Sequence, residues 1–172
     1  MLAATYDIPG AVPLSEQAGV ALRELRKSDL RKLAWWYNHT VPRDARQRRY
    51  RSASDMEKHL FKLTSRDSCH RAILMGGRLI GYCGWNDHME AFIFIGRPEW
   101  RGLGIGTKAM RFLLQEFRQR RRFAMSAKTN RPDFWAKLGF QEVRNDWRLR
   151  PQDAESGHVM MLWDRREHNG NA

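Results

Sequence analysis

The spacing of apolar residues changes several times along the chain, and each change marks an element. Residues 1–18 hold Pro9, Gly10 and Pro13 without any period and read as an irregular arm. Residues 20–25 alternate and predict a first strand, after which Leu30, Leu33, Ala34 and Tyr37 fall on one helical face. Ser28 is the expected N-cap of that helix and Pro42 its stop. A second helix is predicted from about residue 54, with Met56, Leu60 and Leu63 as its apolar stripe.

The middle of the chain turns to β periodicity. Residues 71–75 and 79–83 flank Gly76-Gly77 and predict an antiparallel hairpin, while 91–95 is apolar throughout and predicts a strand buried on both faces. A two-residue turn at the glycines sets His70 opposite Cys83 and Gly84 opposite Cys69. The two thiols are then expected on opposite faces, buried and without a disulfide. From Gly104 to about residue 120, Ile105, Ala109, Leu113 and Phe117 recur at helical spacing. Residues 123–127 predict another strand. Pro132 opens a short helix carrying Phe134, Trp135 and Leu138 that stops at Gly139, and 140–143 and 158–163 predict two closing strands. Strand, two helices, three strands, helix, strand, helix, two strands is a mixed α/β order.

With 172 residues and 42% hydrophobic content, one continuous core is expected, so 19–172 reads as one domain behind the arm. No apolar run reaches the length of a membrane span, and the opening residues lack a basic stretch ahead of an apolar one. A cytoplasmic location away from membranes is expected. Charge alters the picture more: 31 basic against 19 acidic residues give a net charge of +12, most of it arginine. Guanidinium grips phosphate and carboxylate in a fork, so the balance points either to acidic partners or to a basic surface with no particular role.

The chemistry concentrates where the 91–95 strand gives way to the longest helix, through Gly96-Arg97-Pro98-Glu99-Trp100-Arg101-Gly102-Leu103-Gly104-Ile105-Gly106. Glycines let a backbone approach a ligand closely. The free amides that open a helix point outward with the positive end of its dipole, a setting for phosphate or pyrophosphate. Arg101 adds a cation. A Walker loop fits poorly, because Gly106-Thr107-Lys108 has hydroxyl and amine in the wrong order; a dinucleotide fingerprint needs an acid ending the next strand, where Lys128 stands.

Arg101-Gly102-Leu103-Gly104-Ile105-Gly106 resembles the Gln/Arg-x-x-Gly-x-Gly/Ala signature of the GNAT N-acetyltransferase superfamily, with Pro98-Glu99-Trp100 as a lead-in. Lys137-Leu138-Gly139-Phe140 resembles a second family motif, and the element order matches over roughly 19–166. The resemblance implies the GNAT fold: a twisted, mostly antiparallel sheet of about seven strands, splayed between the fourth and fifth and flanked by four helices. It implies transfer of an acetyl group from acetyl-CoA to a primary amine by direct attack, without a metal. Arg101, Gly102, Leu103, Gly104, Ile105 and Gly106 would bind the pyrophosphate of coenzyme A, with the Thr107 hydroxyl beside it. The backbone of Phe94, Ile95 and Gly96 would pair with the pantetheine arm, and an amide near Ile95 would hold the oxyanion.

The resemblance breaks at the proton donor. Many members place a tyrosine in the fourth helix to protonate the leaving thiolate; here that position is Trp135, and the family's asparagine position is Lys128. Ser126, Thr129 or Asn130 is left to handle the proton, with Asn130 also beside the cofactor, or the thiolate leaves unaided. Glu90, with Asp87 and His88 before it, stands near where some members carry a catalytic carboxylate. In this family the loop between the first two helices lines the acceptor groove. In this chain that loop holds Arg46, Arg48, Arg49 and Tyr50, implying an acidic or phosphate-bearing acceptor: a nucleotide, a nucleic acid, a nucleotide-linked amino sugar or an acidic protein. Trp35, Trp36 and Tyr50 offer rings for stacking or for the core. A second arginine cluster at 118–122 suits either binding or the helix dipole. The apolar closing strand suits a monomer's core or a homodimer contact. A non-catalytic GNAT-fold module that binds acyl-CoA or nucleic acid is the alternative.

Overall fold

Four alternating segments pair side by side in the order β1 (Val20–Glu24), β2 (Cys69–Met75), β3 (Arg78–Trp85) and β4 (Ala91–Ile95), every neighbour antiparallel. The computed structural model describes residues 19–41, 50, 52–61, 67–120, 124–144 and 146–168. The 1–18 arm and Arg46, Arg48 and Arg49 therefore lie outside the described residues. A second antiparallel sheet runs β5 (Ala124–Thr129), β7 (Val159–Asp164), β6 (Gln141–Val143). Among the described residues the two sheets meet at one parallel bridge, between Glu90 and Ser126, where the Ser126 amide donates to the Met89 carbonyl at 2.9 Å. Beyond that bridge β4 and β5 part, which makes a fork.

Side-chain alternation assigns the faces. Ile73, Cys83, Trp85 and Ala91 turn toward α3 (Ile105–Gln119), where they meet Ile105, Met110, Leu113 and Phe117. Trp135 and Phe140, in and just after α4 (Pro132–Ala136), complete that core. Tyr82, Phe92 and Phe94 turn the other way, onto Leu33 and Trp36 of α1 (Lys27–Thr40) and Met56 and Leu60 of α2 (Ala53–Phe61).

Several expectations are corrected. The two-residue turn pairs Met75 with Arg78 and Leu74 with Leu79 as predicted, but a bulge beyond Ile73 slips the register by one residue. Arg71 then faces Cys83, and Cys69 faces Trp85, so both thiols point to the α3 side. They are free and buried. Ser28 is not the cap of α1: Asp29 accepts from the Arg26 amide at 2.9 Å and is held by both terminal nitrogens of Arg23 at 2.7 and 2.8 Å. Likewise the hydroxyl that caps α2 is Ser52, accepting from the Asp55 amide at 3.1 Å. Two short helices were not predicted, α5 (Pro151–Glu155) and α6 (Arg165–His168). The closing strand β7 lies between β5 and β6, and its Met160, Met161 and Trp163 are buried. Arg118 and Arg120 serve packing: their guanidinium groups lie over Trp163 and Trp85 at 5.1 and 5.4 Å.

Candidate functional site

After β4 a single 3-10 turn, Pro98–Trp100, carries the chain to two left-handed glycines, Gly102 (φ 79°) and Gly104 (φ 74°). Gly104 is the N-cap of α3 and brings no side chain to the helix end; its carbonyl takes the first helical bond, from the Lys108 amide at 3.0 Å. The amides of Ile105, Gly106 and Thr107 precede that bond and have no partner among the described residues. No acidic residue occupies the first turn to neutralise the dipole. A Cβ placed on Gly102 or Gly104 would meet nothing within 4 Å. The result is an open concavity of backbone donors. Gly106 differs, since its Cβ would lie against Ile93 Cδ1 and Phe134 Cε2 at an ordinary contact distance of 3.4 Å and so would point into the core, away from the concavity.

Arg101 does not point at those amides. Its Nη2 donates to the Ile95 carbonyl at 3.1 Å and to Thr40 Oγ1 at 3.3 Å, and its own amide donates to the Pro98 carbonyl at 2.9 Å. The Gly96 amide is spent on the Ile80 carbonyl at 2.8 Å. Backbone groups alternate along an antiparallel strand, so Phe94 and Phe92 also face β3, and Ile93 and Ile95 face the fork. Of the three residues expected to pair with an extended ligand arm, only Ile95 has its backbone on the open edge, and Ile93 joins it.

At the apex of the fork the structure gathers Glu90, Ser126 and two residues that the sequence reading passed over, Asp146 and Arg148. Asn86 Oδ1 accepts from the amides of His88 and Glu90 at 3.0 and 2.9 Å, which shapes the β3–β4 turn. Met89 takes φ 57° there, a conformation a side chain resists, and so presents its carbonyl to Ser126. Ser126, 2% exposed, shares its face with Glu90, because residues opposed across a bridge point the same way. Arg148 donates from Nη1 to Ser126 Oγ at 3.0 Å and from Nε and Nη2 to Asp146 at 2.9 and 2.5 Å. That pairing raises the Arg148 guanidinium and, through the same hydrogen bond, holds the Asp146 carboxyl below its usual range. Trp147 between them is 89% exposed.

Other predicted residues lie apart. Asn130 is exposed beyond the end of β5, about 13 Å along the strand line from Ser126. Thr129 Oγ1 accepts from the Arg131 amide at 2.9 Å. Lys128 reaches Asp153 at 3.3 Å. Trp135 is buried against Phe134 and Phe140. Trp36 and Tyr50 take the second of the two uses expected of their rings and are buried in the core, Tyr50 with its backbone held by the Asn38 side-chain amide. Trp35 remains half-exposed, stacked on His39 at 4.4 Å. Burial pushes the Cys69 thiol up to about 12 and raises Cys83 as well, so neither is a nucleophile. Among the described residues no cluster of three His, Cys, Asp or Glu side chains is placed to hold a metal, and no helix is long and apolar enough to cross a membrane. The signal for Arg148 in the sequence was only an acid two residues before it.

The sequence model described as the acetyltransferase (GNAT) family matches residues 22–140. Among solved structures, aminoglycoside acetyltransferase AAC(6')-Ib in complex with coenzyme A and kanamycin superposes with a TM-score of 0.72 at 17% identity, over 89% of this chain and 99% of that one. A domain from Methanocaldococcus jannaschii DSM 2661 gives 0.67 at 14% identity, over 86% and 99% of the two chains. An N-acetyltransferase from Staphylococcus aureus Mu50 gives 0.64 at 12% identity, over 86% and 99%. At these identities the likeness is one of fold. No curated protein sequence matches the chain.

Proposed function

Because the chain belongs to the GNAT acetyltransferase family, we propose that it transfers an acetyl group from acetyl-CoA to a primary amine by direct attack. The observation that carries this reading is the cradle at the start of α3: two left-handed glycines, no capping side chain, no first-turn acid and a row of unspent amides. A diphosphate supplies the charge and the acceptor atoms those donors lack. The open edge of β4, at Ile93 and Ile95, receives the pantetheine arm as an added strand. Structures of AAC(6')-Ib with coenzyme A support the same use of the fold. Acetyl-CoA supplies the activated thioester.

The chain's own groups then have distinct tasks. An amide of Ile93 or Ile95, facing the fork, donates to the oxygen as it becomes negative. Glu90, whose carboxylate has no hydrogen-bond partner among the described residues, takes a proton from the incoming ammonium. The acceptor enters on the face that Glu90 and Ser126 share, with exposed Trp147 next to Arg148. A net charge of +12 favours an acceptor that carries phosphate or carboxylate near its amine and disfavours a polycation such as an aminoglycoside.

Thiol release from acetyl-CoA, measured across amines bearing phosphate, carboxylate or further amines, tests the reading. Turnover with the anionic members above that with the polyamines is expected. Binding of coenzyme A without turnover of any amine would favour a non-catalytic acyl-CoA-binding module, and absence of binding would overturn the proposal.

A further inference from the structure

Ser126 is the last residue that ties the two sheets together, and its side chain is buried on the acceptor face at the apex of the fork. Its oxygen accepts from Arg148 Nη1 at 3.0 Å, while no described residue accepts its hydrogen. A buried hydroxyl normally spends its donor, and this one keeps it. Arg148 has no such freedom: Asp146 takes Nε and Nη2, and its backbone amide also donates to Asp146 Oδ1, at 2.9 Å. The guanidinium is thus a fixed positive group behind the serine oxygen. Meanwhile the ring at the position where a tyrosine acid is expected, Trp135, is packed in the core and has no exchangeable oxygen proton.

We propose that Ser126 is the group that hands a proton to the departing sulfur, and that Arg148, locked by Asp146, is its positioning residue. This rests on the acetyl-transfer reading above, in which the arm runs along β4 from the α3 cradle and delivers the thioester to the apex. When the amine nitrogen has bonded to the acyl carbon, the carbon–sulfur bond breaks with its electron pair going to sulfur. Ser126 Oγ gives its hydrogen to that sulfur and takes the surplus proton from the new amide nitrogen, so the hydroxyl ends as it began. The products are the neutral amide and the free thiol, with the first ammonium proton on Glu90. One oxygen lone pair holds the Arg148 contact and the second receives the nitrogen's proton, which uses the full capacity of a hydroxyl. The adjacent guanidinium stabilises negative charge on oxygen and sulfur during the exchange.

The test uses Ser126→Ala, Arg148→Gln and Arg148→Lys in the full chain. Two readouts are taken beside thermal melting: steady-state kinetics, and the ultraviolet titration of the thiol of bound coenzyme A. Ser126→Ala and Arg148→Gln are expected to lower kcat about a hundredfold with the KM for acetyl-CoA unchanged, and to raise the pH at which the bound thiol ionises. The double variant falls no further than either single one, and Arg148→Lys recovers part of the loss. If Arg148→Gln does not fold, Ser126→Ala and Arg148→Lys carry the same comparison. Unchanged kcat and unchanged thiol titration in Ser126→Ala, with the parent protein binding coenzyme A and turning over, would overturn this inference alone. A parent protein with no calorimetric heat from coenzyme A would overturn the acetyl-transfer reading instead.

Discussion

The guanidinium of Arg101 donates to the carbonyl of Ile95 at 3.1 Å, closing over the end of β4 instead of over the amides that open α3. The arginine is exposed, so it contributes little to folding, yet it sits between the strand edge and the cradle proposed for the diphosphate. Arg101→Glu removes this strut and sets a negative charge beside that cradle. Loss of calorimetric coenzyme A binding is expected, with the melting temperature within a few degrees of the parent. Retained affinity would contradict the assignment.

Gly104 and Gly106 are predicted to differ although both belong to one motif. An alanine at Gly104 must hold φ 74°, at a cost of about 1–2 kcal/mol, and its methyl group enters the empty concavity. An alanine at Gly106 meets Ile93 and Phe134 at ordinary contact distance. Gly104→Ala should lower both the melting temperature and coenzyme A affinity, whereas Gly106→Ala should leave affinity within a few fold. Thermal melts and calorimetric titrations on the two variants check this.

His70 supplies a pH dependence. Its ring packs against Phe92 at 5.3 Å, and burial depresses its pKa from the ordinary 6.5 to about 4. Above pH 6.5 the histidine is neutral in both states and its contribution is complete. As pH falls from there toward 4, the unfolded chain binds a proton that the folded chain refuses, so stability declines by at most about 1.4 kcal/mol per pH unit. Chemical denaturation across this window should show a shallower decline for His70→Gln than for the parent. Parallel curves would mean that the ring is free to protonate in place.

What was legible in the sequence was local. An apolar strand, alternate glycines and an amphipathic helix follow one another within about thirty residues, so β4, the cradle and α3 could be placed from spacing alone. The bulge beyond Ile73 was missed although its mark is present: it leaves Ile80 unpaired beside Gly81, a glycine inside a strand, and that one-residue slip moved Cys69 and Cys83 to a common face. Arg148 was hidden for a different reason. It lies in an irregular stretch between β6 and α5, and its partner Ser126 is far away in sequence, so only the meeting of β4 and β5 brings them together. Which of its two uses the Trp36 ring takes is settled by a contact distant in sequence: a Cβ on Gly96 would stand 2.2 Å from that ring, which lies buried under the end of β4.

The central claim, that the amides opening α3 grip the diphosphate of coenzyme A, is tested most directly by amide-resolved nuclear magnetic resonance during titration with coenzyme A. The account predicts saturable shifts, largest at the amides of Gly104, Ile105, Gly106 and Thr107, that are abolished in Arg101→Glu. Saturable binding that leaves those four resonances in place, with its shifts elsewhere, would contradict it.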